Sequence, residues 1–169
     1  MIEQSSLRNA ESLIRFGAEK LSSISNVPRL EAEVLLSNLL KINPMKFHTN
    51  DIGISSKIMD KFESMIESRF KGMPIAYLIG KKEFWSLDFE INPSVLVPRP
   101  ETELLIENAI ELLKDHESPR ILELGTGSGI ISIVLYKELV TPEITATDIS
   151  DEALYVAKNN ADRYQIKDI

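Results

Sequence analysis

The stretch Ile-Leu-Glu-Leu-Gly-Thr-Gly-Ser-Gly-Ile, residues 121–130, runs from one apolar segment through three alternating glycines into another. Ile121, Leu122 and Leu124 read as a strand. Ile130, Ile131, Val134 and Leu135 recur at helical spacing, so the glycines fall where a strand turns into a helix and the backbone can pass close to a ligand. Downstream, Ile144 to Thr147 reads as a second strand and Asp151 to Asp162 as a second helix. Strand, helix, strand, helix in this order opens a parallel doubly wound α/β sheet.

The spacing of the turn narrows the ligand. Asp148 ends the second strand, where a carboxylate can accept hydrogen bonds from both hydroxyls of a ribose. The dinucleotide fingerprint G-x-G-x-x-G would put its third glycine where this chain has Ile130. Here Gly125, Gly127 and Gly129 form G-x-G-x-G, with Glu123 two positions upstream. This resembles the pattern of class I methyltransferases that bind S-adenosylmethionine, a ligand with no pyrophosphate to cradle.

Outward from the turn, the first 75 residues read as a small helical bundle. Leu7, Ala10, Ile14, Ala18 and Leu21 form one apolar stripe. Ala32, Leu35, Leu36, Leu39 and Leu40 form a second, with Pro28 suited to its first turn and Asn43-Pro44 as its stop. Ile58, Phe62, Met65, Ile66 and Arg69 form a third, capped by Ser55 or Ser56 and stopped by Gly72 and Pro74. These stripes are expected to be core. The period then changes to two, because Trp85, Leu87, Phe89 and Ile91 alternate with Ser86, Asp88 and Glu90. A turn at Asn92-Pro93 and a short strand Val95–Val97 would close a hairpin over residues 83 to 97. From Glu101 a helix is expected to carry Leu104, Leu105, Asn108, Ala109 and Leu112 on one side.

Composition excludes several classes. The chain has 43% hydrophobic and 27% charged residues, which fits a folded globular protein. It contains no cysteine, and His48 and His116 lie far apart, so no metal site is expected. No apolar run approaches the roughly 20 residues that span a bilayer, and Met1 to Asn9 is polar, so no membrane partner and a cytoplasmic location are expected. A net charge of -7 argues against direct nucleic-acid binding. The basic spots at Lys81-Lys82 and Arg69-Lys71 read as solvated surface.

Arg69, Gly72, Pro74, Ala76, Tyr77, Leu78, Gly80, Glu83 and Phe84, followed by VLVPRPETELLIE at residues 95–107, resemble the glutamine-N5 methyltransferases of release factors, the HemK/PrmC family. The likeness spans essentially the whole chain: PRLEAEVLLSNLL at residues 28–40 is similar to the family's second helix, and ILELGTGSG and ATDISDEALYVAKNNA are similar to its cofactor half. The resemblance implies methyl transfer from S-adenosylmethionine to the side-chain amide of the glutamine in a Gly-Gly-Gln loop of peptide chain release factors, in the service of translation termination. It implies that Gly125, Thr126, Gly127, Ser128 and Gly129 wrap the cofactor, that Asp148 takes the ribose, and that Glu123 fixes the loop. Arg99, Pro100, Glu101 and Thr102 resemble the loop beside the cofactor, with a packing and positioning role, although the same residues also make an ordinary helix entrance.

The domain expectation is a helical substrate-recognition domain over 1–75, a hairpin linker over 76–98, and an incomplete S-adenosylmethionine-binding domain over 99–169. The family's Asn-Pro-Pro-Tyr motif, which holds and polarises the acceptor amide, is absent from these residues. No catalytic residue is therefore carried over, and the chain is read as a truncated, inactive portion of the enzyme. Two other readings are a class I methyltransferase acting on nucleic-acid amino groups, and a non-enzymatic helical binding module with a nucleotide-binding remnant.

Overall fold

The computed structural model describes residues 9–48 and 51–167, which fall into two units, Met1–Ile79 and Gly80–Ile169. In the first, Asn9, itself extended, caps helix α1 (Ala10–Leu21) by accepting the Ser12 amide at 3.0 Å, a cap that contributes about 1 kcal/mol. Helix α2 (Pro28–Leu40) begins on the proline and ends at Lys41, which takes a left-handed φ of 55°. The stop therefore precedes the expected Asn43-Pro44 pair, and Pro44–His48 forms a short 3-10 turn. Helix α3 (Ser56–Phe70) and the short α4 (Ile75–Ile79), which was not expected, complete the unit.

Leu13, Ile14, Leu21, Ala32, Leu35, Leu36, Phe62 and Ile66 form a core with no solvent exposure. The buried face of α1 runs through Leu13 and Gly17 rather than the expected Ala18. Its physical reason is the absent side chain of Gly17: a Cβ there would stand 2.9 Å from Phe62 Cζ and from Ile66 Cδ1, so α3 packs Phe62 and Ile66 directly against the α1 backbone. Leu7 lies outside the described residues. Arg69 also departs from expectation. Its guanidinium forms two hydrogen bonds to Glu31, at 2.8 and 3.0 Å, and is largely covered, so it ties α3 to α2 rather than facing solvent.

The second unit starts with a hairpin of β1 (Lys81–Phe84) and β2 (Leu87–Glu90), with Phe84 opposite Leu87. Its two-residue loop is Trp85-Ser86, with φ of 52° and 57°, the left-handed pair of a type I′ turn. This corrects the expected hairpin: the reversal lies at Trp85-Ser86, residues 92–95 form a turn through the Val95 amide and the Asn92 carbonyl, and Val95–Val97 pairs with no strand. Helix α5 (Glu101–Leu113) is also turned from expectation. Ile106 is fully buried, whereas Leu104, Leu105 and Leu112 are 61%, 53% and 76% exposed. The helix packs against α6, and its less exposed positions are Thr102, Ile106, Ala109, Ile110 and Leu113, of which only Ala109 lay on the expected side, because the opposite side carries equally large leucines.

Next come β3 (Arg120–Leu124), α6 (Ile130–Glu138), β4 (Glu143–Thr147) and α7 (Asp151–Arg163). β3 and β4 pair in parallel, with Glu123 opposite Ala146 and Leu124 opposite Thr147. This is a partial Rossmann-like sheet following a helical part, as expected. Glu123 turns toward α6, so alternation sends Leu122 and Leu124 to the other face, where they are 64% and 77% exposed. No helix among the described residues is long and apolar enough to cross a membrane.

Candidate cofactor site

The glycine turn is fastened to the end of β4 by its backbone. The amides of Gly125 and Thr126 both donate to the Thr147 carbonyl at 2.8 Å, and the Thr147 hydroxyl donates to the Glu123 carbonyl at 3.0 Å. The three glycines adopt positive φ of 75°, 56° and 79°. Their surroundings separate them. At Gly125 and Gly127 no atom lies within 4 Å of where a Cβ would stand, whereas at Gly129 it would meet Ala157 and Ile133 at 3.1 to 3.2 Å. Two glycines thus open on free space, and the third lets α6 approach α7 closely. Thr126 and Ser128 are buried, with their hydroxyl-bearing side chains drawn into the fold.

Glu123 holds the turn from below. One of its carboxylate oxygens accepts the Thr126 hydroxyl at 3.0 Å, the Ser132 amide at 3.2 Å and the Ser132 hydroxyl. Helix α6 has no side-chain cap at Gly129, so this carboxylate satisfies a first-turn amide and faces the positive end of the helix dipole. Burial nevertheless raises the Glu123 pKa above its ordinary 4.5, against the lowering effect of the Ser132 and Thr126 hydrogen bonds.

Asp148 follows β4 directly and binds backbone on both sides. One oxygen accepts the Gly127 amide at 2.9 Å and the other the Ser150 amide at 3.0 Å. These bonds, Ser150 first, lower its pKa from 3.8 and keep it ionised. Ser150 in turn caps α7 through the Ala153 amide at 3.1 Å. Each carboxylate oxygen of Asp148 has a second lone pair, so acceptor capacity for a ligand remains. Arg99, Pro100 and Glu101 are exposed at the entrance of α5 and Thr102 is half-buried; among the described residues no hydrogen bond joins their side chains to the turn. No group of side chains fit to hold a metal ion occurs among the described residues.

The two carboxylates make opposite contributions to stability with pH. Glu123 has a folded pKa above its unfolded one, so its contribution is present below about 4.5 and is lost as pH rises through the raised value. Asp148 has a lowered folded pKa, so its contribution is present above 3.8 and is lost as pH falls through the lowered value. Glu123→Gln is therefore expected to gain on the parent in urea unfolding as pH is raised above 4.5. A constant difference between the two proteins from pH 4 to 7 would show that Glu123 titrates alike folded and unfolded.

Two further residues were missed from sequence. Ser132 is a polar residue inside the apolar run of α6, a signal that was available. Asn160 is fully buried and carried none, since Asn159 beside it looks identical on paper.

Parallel β3 and β4, with a glycine turn leading from β3 into α6 and an acidic residue after β4, form part of a Rossmann-like methyltransferase fold. Residues 99–169 match the family model described as ribosomal protein L11 methyltransferase, and residues 12–80 match the PrmC N-terminal domain. The release factor glutamine methyltransferase of Coxiella burnetii is 41% identical over 151 residues, covering 89% of this chain and 54% of the relative. The protein of that name from Shewanella oneidensis is 34% identical over 170 residues, covering 100% of this chain and 58% of the relative. A bifunctional methyltransferase of Rickettsia bellii is 38% identical over 186 residues, covering 90% of this chain and 32% of the relative. Over most of its length the chain is similar to the N-terminal portion of release factor glutamine methyltransferases. It spans a little over half the length of the release factor methyltransferases it matches.

Proposed function

We propose that these residues supply the methyl-donor side of an enzyme that transfers a methyl group from S-adenosylmethionine to the glutamine side-chain amide of the Gly-Gly-Gln loop in peptide chain release factors. The observation that carries the reading is the free space over Gly125 and Gly127 beside the ionised Asp148. A side chain at either glycine would enter that space, and a ribose hydroxyl finds an acceptor at its edge. Ile149, fully exposed next to Asp148, offers an apolar face to an adenine ring. The names of the relatives support the substrate class.

When bound, the cofactor supplies an electrophilic methyl on a sulfonium. The chain's own work is to place it. Glu123 and Thr147 fix the turn's backbone, Asp148 takes the ribose while fastening Gly127, and we assign Arg99, Pro100, Glu101 and Thr102, at the entrance of α5, a packing role beside the cofactor. An amide nitrogen is a poor nucleophile because its lone pair is delocalised, so alignment of donor and acceptor accounts for much of the rate. The helical unit serves as a second docking surface, since a Gly-Gly-Gln loop alone is too small to identify a release factor. A cytoplasmic site of action accords with that substrate.

Asp148→Ala is expected to weaken S-adenosylmethionine binding by about 10- to 100-fold, from the loss of charge-assisted hydrogen bonds. Calorimetry on the full-length protein tests this, and unchanged affinity would remove Asp148 from the site. Labelled methyl transfer to release factor tests the acceptor. Transfer to nucleic acid with none to release factor would overturn the substrate reading.

A further inference from the structure

Among the described residues, Asn160 is the one side chain whose hydrogen bonds hold both the glycine turn and the hairpin. It has no solvent exposure. Its amide nitrogen donates to the Ser128 carbonyl at 2.9 Å and to the Glu90 carbonyl at 3.1 Å, and its amide oxygen accepts the Glu90 backbone N–H at 2.7 Å. Every donor and one acceptor position of the side chain is thereby used, in a buried setting where an unpaired partner is costly. Further along α7 and just past its end, Arg163 and the Tyr164 hydroxyl both donate to the Asp88 carbonyl, at 2.9 and 2.8 Å, and the Tyr164 ring lies 5.8 Å from that of Phe89. β2 is therefore gripped by α7 at two places, and only the Asn160 place reaches on to the turn.

We propose that Asn160 is a positioning residue that couples the hairpin to the cofactor turn: it fixes the Ser128 carbonyl, and with it the Gly129 amide of the same peptide unit, to the position of β2. A displacement of the hairpin then reaches the turn through a single amide side chain. The alternative route, through Glu123 and Asp148, touches the turn from β3 and β4 and does not involve the hairpin.

The inference rests on reading the turn as the cofactor site only for its consequence in binding, and its first test needs no cofactor. Hydrogen exchange at the Gly129 amide is compared in the full-length parent and in Asn160→Asp, which keeps the acceptor for Glu90 and turns a carboxylate oxygen toward two carbonyls. Exchange at the turn is expected to speed by about tenfold or more, as for the loss of a buried hydrogen bond, while amides in β3 and β4 keep their parent rates. If Asn160→Asp does not fold, the pair Arg163→Ala with Tyr164→Phe loosens β2 from the far side and should also speed exchange at Gly129. A Gly129 amide that exchanges as in the parent while Glu90 exchanges faster would overturn the coupling. In binding, Asn160→Asp should raise the dissociation constant for S-adenosylmethionine by about tenfold and leave that for release factor unchanged. A turn that loosens with no cofactor binding by the parent itself would sink the functional reading and leave the coupling standing.

Discussion

Gly129→Ala is expected to lower stability by about 2–4 kcal/mol, far more than the same change at Gly125 or Gly127, because two costs coincide there. All three positions have positive φ, so each pays the strain of a left-handed alanine. Only at Gly129 is the new methyl also blocked, by the Cα and Cβ of Ala157 and by Ile133 Cδ1 at 3.1 to 3.2 Å. Ala157 belongs to α7 and cannot yield without moving the helix that carries Asn160. Urea unfolding of the three single variants separates the terms: Gly125→Ala and Gly127→Ala report strain alone, and the excess at Gly129 reports packing. Equal losses at the three positions would mean that α7 gives way freely. Cofactor affinity should rank the variants differently, since Gly125 and Gly127 face the free space.

The order of elements around the turn was legible because glycine, β-branched and charged residues each fall where backbone geometry demands them. Ile121 to Leu124 must run straight into the turn, and Asp148 sits one residue past β4, as its place after Ala146 and Thr147 suggested. The hairpin reversal was not legible. A type I′ turn normally announces itself by Asn-Gly or Asp-Gly, and Trp85-Ser86 carries neither signature. The strain is offset from outside the turn, where the Trp85 indole donates to Glu138 at 2.9 Å. No local pattern encodes a partner 53 residues away. The same holds for α5, whose two sides are equally leucine-rich, so only contact with α6 chooses Ile106 over Leu105. At the site, the open glycines could be told from the packing glycine only once Ala157 had been placed against Gly129.

Phe62→Ala should destabilise the helical unit by about 3–5 kcal/mol, the usual cost of removing a fully buried aromatic ring. Its ring reaches the α1 backbone at Gly17, so the void would open between α1 and α3, where Lys20 and Glu67 hold the helices together only at the surface. Gly17 makes this measurable as a coupling. In the parent, Gly17→Ala gains about 1 kcal/mol of helix propensity but puts a methyl against Phe62 Cζ and Ile66 Cδ1, and overpacking of about 1–3 kcal/mol outweighs it. Once Phe62 is alanine, the same methyl still meets Ile66 Cδ1 at 2.9 Å and Ala32 Cβ at 3.1 Å, but the Ile66 end can turn into the void that the methyl partly fills. Gly17→Ala is then expected to be neutral or stabilising, a change of sign that independent sites cannot produce. Urea unfolding of the four proteins, followed by helical circular dichroism, closes the cycle. The same cost for Gly17→Ala with and without the Phe62 ring would show that other side chains collapse into the space and that the ring does not set the approach of α1 to α3.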